Sequence, residues 1–213
     1  MARDYHLTTT PLTPDPNGVF EDQTTVGAGN FTLDGAGVTD GVWTSSDDMA
    51  HQISFESAGD ESDRTFTITG TNREGHALTE AVTGPNATTV ESTNYFYTIT
   101  QIATDGAVGN AVEAGPVDEC VTHRYITDRK GVASIAIGLT VTGTANVDVE
   151  FSLDDETTQG ELNWQDHSVL AAITADANSN VEYLPTCLRL KYNSYTAGAS
   201  VDFNLINENY KGS

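Results

Sequence analysis

Apolar residues at every second position leave a chain few choices, and the last third of this sequence repeats that spacing four times. Ile135, Ile137, Leu139 and Val141 form one run, and Val147, Val149, Phe151 and Leu153 a second. Leu188, Leu190 and Tyr192 form a third, followed by Val201, Phe203 and Leu205. Side chains of an extended strand alternate between two faces, so each run specifies a strand with one buried and one wet face. "TGTAN" between the first two runs and "SYTAGA" between the last two read as hairpin turns. Two hairpins supply four strands, enough for a sheet that stands by itself. A module beginning near Lys130 is therefore expected to fold alone.

Upstream, shorter strand signals alternate with Gly, Asn and Asp turns at spacings near those of sandwiches and barrels. "NFTLDGAGVTDGVW" places Phe31 and Leu33 on one face and turns twice before Val42 and Trp43. "HQISFESAG" and "TFTITGTN" alternate at Ile53, Phe55, Phe66 and Ile68, and Leu78, Glu80 and Val82 follow at period two. In "NYFYTITQIATDG" the apolar residues Phe96, Ile99 and Ile102 are out of strict phase, which predicts a β-bulge. No long stretch carries helical periodicity with caps. The fold class is all-β: two small antiparallel β-sandwich or barrel-like modules.

The boundaries follow from where the alternation stops. Residues 1–20 hold Pro11, Pro14 and Pro16 in a Thr-rich setting and read as an extended arm that a neighbour must order. Residues 21–118 form the first module. Residues 119–130 break the pattern, carry His123, Arg124, Arg129 and Lys130, and read as a linker. Residues 131–213 form the second module.

Charge narrows the function classes. Asp plus Glu number 31 against 9 Lys plus Arg, a formal net charge of -22. Such a surface repels phosphate backbones, so nucleic acid is not an expected partner. There is no apolar run of transmembrane length, so no membrane partner is expected either. "MARDYH" is not followed by the apolar stretch of a signal peptide, which makes cytoplasmic synthesis the expectation. Cys120 and Cys187 stand outside any C-x-x-C motif and are expected to be free, partly buried thiols.

His6, His51, His76, His123 and His167 lack metal-ligand spacing and read as surface histidines. Asp60, Glu61 and Asp63, like Asp154, Asp155, Glu156 and Glu161, are loop carboxylates of the kind calcium uses. Neither set has an EF-hand spacing, and solvated acidic turns are the expected reading. Glycoside hydrolysis by a carboxylate pair would be accompanied by several exposed aromatics, and Trp43 and Trp164 are the only tryptophans. Asn30 and Asn86 sit in formal glycosylation sequons that the missing signal peptide makes irrelevant. No catalytic, cofactor-binding or metal residue is assigned, no cofactor is expected, and the chain is expected not to be an enzyme.

A resemblance adds an address. The turn "SAGD" at Ser57 to Asp60, the strand "FTITGT" at Phe66 to Thr71 and "LTEAVTGPN" at Leu78 to Asn86 carry it. With Phe96 ahead of "TITQI" at Thr98 to Ile102, this stretch resembles a module of tailed-bacteriophage virion structural proteins. "VDVEFSLDD" and "YLPTCLRLKYNSYTAGASVDFNLIN" resemble a second such module, and together the two span about residues 25–207. The resemblance implies a virion location and a non-enzymatic structural component, foremost a capsid decoration protein. A tail, collar or head–tail junction component is the alternative. Its partners would be the major capsid, tail or junction proteins and further copies of itself in a homo-oligomer. A carbohydrate-binding module is the rival of another class, and it requires Trp43 or Trp164 to be exposed for stacking on sugar.

Overall fold

The structure is a computed structural model that describes residues 4–127, 132–155, 162–181 and 184–209. Every regular element among them is a β-strand, and no helix is long and apolar enough to cross a membrane. In chain order β1 is Tyr5–Thr9, β2 Phe20–Thr25, β3 Gly29–Asn30, β4 Val38–Thr39, β5 Val42–Thr44 and β6 Ala50–Ser57. Then come β7 Thr65–Thr71, β8 Ala77–Thr83, β9 Thr89–Glu91, β10 Thr98–Thr104, β11 Val108–Val121 and β12 Tyr125–Ile126. The remainder are β13 Val132–Thr142, β14 Ala145–Ser152, β15 Gln165–Asp166, β16 Ala177–Val181, β17 Cys187–Tyr195 and β18 Ser200–Asn209. The chain divides into two units: Leu12–Cys120, and the residues from Val121 onward together with those up to Pro11.

In the first unit one sheet runs β4-β5-β10-β7-β8 with β3 on β10, and a second layer holds β11, β6 and β9 with β2 on β11. Phe55 from one layer and Phe66 from the other meet with ring centroids 5.1 Å apart. Phe20 stacks on Phe31 at 4.6 Å, and Ile53, Ile68, Ile99 and Ile102 complete a core with no exposed surface. The out-of-phase segment is a bulge, as its spacing predicts. Ile99 pairs with Gly70 and Gln101 with Thr69, which leaves Thr100 as the extra residue. That insertion lets Ile99 and Ile102 both point inward. Asp40 and Gly41, both at positive φ (53° and 75°), link β4 to β5 in a two-residue hairpin.

In the second unit the apolar positions read from the sequence are buried, but the expected wet face is missing on β14, where Asp148, Glu150 and Ser152 are buried as well. Ile135, Ile137, Leu139, Val147, Val149, Phe151, Leu188, Leu190, Tyr192, Val201, Phe203 and Leu205 are all buried. Leu153 departs from this, lying just beyond β14 and 56 % exposed.

The two expected hairpins are not hairpins. β13 pairs with β18 and β16, whereas β14 pairs with β17 and β15, so each turn carries the chain from one sheet to the other. Period two fixes which face is buried but not which strand lies alongside. Two strands facing each other across a core carry the same pattern as two strands paired in one sheet. The turn agrees with this: Gly143 has φ of 80° while Thr144 does not share the positive region, unlike the Asp40-Gly41 pair. Donation from Thr196 N–H to the Thr144 carbonyl, at 3.0 Å, ties the two arches together.

The N-terminal arm is also corrected. Tyr5–Thr9 forms an antiparallel edge strand on β18, from Tyr5 opposite Leu205 to Thr9 opposite Val201. Its strand-forming residues all precede the first proline, so the prolines do not interrupt the ladder. Residues 12–20 belong to the first unit and are tied to it by single backbone bonds. Asp15 N–H donates to Pro116 O and Val19 N–H to Ala114 O. A Cβ on Gly115 would lie 1.7 Å from the Asp15 carbonyl, so that approach requires glycine. Of the segment expected as a linker, residues 119–121 are the end of β11 and Tyr125–Ile126 pair with β17, while 128–130 lie outside the described residues.

Candidate functional site

The polar groups that could do chemistry are found mostly holding backbone. The densest cluster surrounds Asp47, in the loop between β5 and β6. Its Oδ1 accepts from the Ser45 hydroxyl at 2.6 Å and the Met49 N–H at 3.0 Å. Its Oδ2 accepts from the Leu12 N–H at 2.6 Å and faces His51 Nε2 at 2.9 Å. Burial alone would push the Asp47 carboxyl up. The hydrogen bond and charge of His51, with Ser45 and the Leu12 N–H, outweigh that and hold it below its ordinary value. His51 is fully buried on β6, and its Nδ1 faces the Val117 carbonyl at 3.3 Å.

A Ser, an Asp and a His in contact invite comparison with a hydrolytic triad, but the connectivity differs. Both Ser45 and His51 bond the carboxylate, so the hydroxyl has no bond to the imidazole that would activate it. Nearby, Cys120 Sγ lies 3.9 Å from Met49 Sδ. Burial first, then the charges of Asp47, Asp118 and Glu119, push its thiol well above the usual range, which keeps it protonated and inert. Cys187 is likewise buried and in no disulfide.

The acidic loops separate rather than converge. Glu61 is buried and its Oε1 accepts from the backbone N–H and the side-chain amide of Asn110, at 2.7 and 2.9 Å. Asp60 turns to the Ser62 hydroxyl and N–H, which lower its pKa, and Asp63 pairs with Arg64 at 3.1 Å. Asp154 accepts from the Asn163 N–H, Asp155 is exposed, and Glu156 and Glu161 lie outside the described residues. Among the described residues no three His, Cys, Asp or Glu side chains come together as a metal site would require.

The histidines are not all at the surface. His51 and His167 are buried because each bonds backbone at both ring nitrogens or at a carboxylate. His167 Nδ1 accepts from the N–H groups of Val169 and Leu170, and its Nε2 faces the Asn180 carbonyl. His6 and His123 are exposed and His76 is half-buried. Trp43 offers no free ring face, and one face of Trp164 is taken. Trp43 is 2 % exposed, and the Arg189 guanidinium sits 4.0 Å above the Trp164 ring while pairing with Glu150 at 2.6 Å.

Sequence reasoning missed the carboxylates that close loops. Glu80 takes the N–H groups of Thr93 and Asn94 at 2.6 and 2.9 Å, and Asp148 takes the N–H of Ala172. Glu80 had one available signal, a charged residue in phase with Leu78 and Val82 on an otherwise apolar face.

No protein-family model and no curated protein matches this chain. Among solved structures the chain is similar to the major capsid protein P2 from bacteriophage PM2, at 9 % identity and a TM-score of 0.20. That alignment covers 98 % of this chain and 100 % of the capsid protein, and similarity at so low a TM-score carries no weight below.

Proposed function

We propose that this chain is a non-enzymatic structural component of a tailed-phage virion, with capsid decoration as its place and other virion proteins and its own copies as partners. One observation carries the non-enzymatic part. Buried groups capable of acid or base chemistry, among them Asp47, His51, Glu61, Asp148, Glu150 and His167, are each bonded to backbone or to a neighbouring side chain. The virion address is supported by the sequence resemblance, whose segments lie on β6 to β10 and on β14, β17 and β18.

Quantitative mass spectrometry of purified particles tests the address. A copy number comparable with that of the capsid protein supports decoration. A few copies per particle would move the chain to tail, collar or junction, and its absence would overturn the reading.

Assembly between such acidic copies should strengthen with salt. Crowding of like charge is visible at Glu113, whose pKa is raised by burial first and then by Asp22, Glu56 and Asp15. Added salt screens that repulsion. Light scattering across a salt series checks this, and self-association that weakens steadily as salt rises would contradict it.

A further inference from the structure

Beyond a structural role, we infer that the cleft beside Trp43 in the Leu12–Cys120 unit is a binding site for a neutral saccharide. The cleft measures about 430 Å³, within the range of small-ligand sites. Five polar side chains converge on it, and beside them lies a buried indole N–H that no side chain or carbonyl of the unit accepts. Here Thr13, Asp15, Thr39, Thr44 and Ser46 line the space, and none of these side chains bonds any described residue.

The sixth group is the indole N–H of Trp43. Its side chain is almost fully buried, at 2 % exposure, yet Nε1 donates to no described residue and is not sealed from solvent. It lies against Gly37, itself part of the cleft wall: a Cβ there would come within 2.5 Å of Nε1. The indole N–H thus opens on solvent at the cleft wall, where a ligand hydroxyl can accept from it in place of water. The earlier requirement that a tryptophan stack on sugar is thus replaced by one in which its N–H donates.

The mix of groups selects the ligand class. Trp43 only donates, the Asp15 carboxylate only accepts, and the four hydroxyls do both. A ligand that meets all three must carry groups that both donate and accept, and a ring of hydroxyls does so. The carboxylate and a net charge of -22 disfavour phosphate or sulfated ligands. A cation would face the positive edge of the indole N–H. Leu12, Ala36 and Pro116 add the apolar contact that the C–H face of a sugar ring needs.

The test is a titration of the ¹⁵N-labelled full chain with glucose, galactose, mannose and N-acetylglucosamine, with glycerol as control. The Trp164→Phe variant assigns the two indole cross-peaks. At least one sugar should move the Trp43 indole peak saturably while glycerol does not. Asp15→Ala, which removes an acceptor without touching the core, should weaken that sugar about tenfold. Ala36→Tyr, filling the cleft from its exposed rim, should abolish the shift. The inference is overturned if no sugar moves the peak, if glycerol moves it equally, or if the shift survives unchanged in either variant with a native amide spectrum. None of these outcomes bears on particle copy number, so the proposed virion role stands or falls separately.

Discussion

The two units use the same strands-and-turns vocabulary but hold themselves together differently. In the C-terminal unit β13 and β18 run alongside each other from Val132–Asn209 to Thr142–Ser200, and β14 and β17 pair along their length. In the Leu12–Cys120 unit several strands are only two or three residues long, and loops are closed by polar side chains reaching distant backbone. Gln23 bonds both the N–H and the carbonyl of Thr32, Ser92 takes the Ile53 N–H, and Asp47 and Glu80 hold four more N–H groups between them. Long ladders satisfy most of their own backbone, although the C-terminal unit too has brackets, at Asp148 and His167. Short ones leave N–H groups that something else must accept, and a buried unmet donor costs about 1–3 kcal/mol.

Truncation in the core should not separate the units. Phe151→Ala in one and Phe66→Ala in the other each remove a buried ring and should each cost about 3–5 kcal/mol. Chemical denaturation of the full chain measures both. A loss below about 1 kcal/mol at Phe151 would mean that its ring does not pack in the core.

Removing a bracket should separate them. Asp47→Ala strands a buried His51 and the N–H groups of Leu12 and Met49, and should cost about 3 kcal/mol, nearly as much as a core ring. The acid limb offers a second reading of the same residue. Asp47 titrates below its ordinary 3.8 when folded, so the folded chain binds fewer protons there than the unfolded one. Its contribution is therefore complete above that ordinary value and is lost as pH falls through the folded one. Asp47→Asn should flatten the drop in melting temperature on acidification. An unchanged slope would remove Asp47 from the acid response.

These brackets also mark where sequence reading stops. The inward face of β13, β14, β17 and β18 was legible because alternation is local, and so was the bulge at Thr100. The neighbours of those strands were not, since facing and adjacent strands share one pattern. The roles of Asp47 and His51 were hidden for a different reason. Their partners Leu12 and Val117 lie 35 and 66 positions away, and nothing local distinguishes a carboxylate in a solvated turn from one that caps distant N–H groups. Trp43 was legible as a candidate, but the direction of its N–H depends on Gly37 and the packing around it.

A smaller effect is expected at Glu80, half-buried at a sheet edge. Glu80→Ala frees the N–H groups of Thr93 and Asn94 and should cost about 1–2 kcal/mol. Hydrogen exchange should quicken at those two amides first. Protection that persists there would show that the Glu80 bonds do not hold the loop.

The smallest effect compares a turn from each unit. Gly41 and Gly143 have nearly the same φ, 75° and 80°, so alanine meets a similar backbone penalty of about 1 kcal/mol at both. Their surroundings differ. A Cβ on Gly41 meets nothing within 4 Å, whereas one on Gly143 lies 3.1 Å from Ala199 Cα in the adjoining arch. Gly143→Ala must therefore either push the arches apart or strain the Thr196 to Thr144 bond, and should cost several tenths of a kcal/mol more than Gly41→Ala. The difference between the two melting curves isolates the stacking of the arches, because the conformational penalty cancels. Equal costs would mean that the turns at Gly143 and Ala199 do not touch, and the hairpin reading of the C-terminal unit would return.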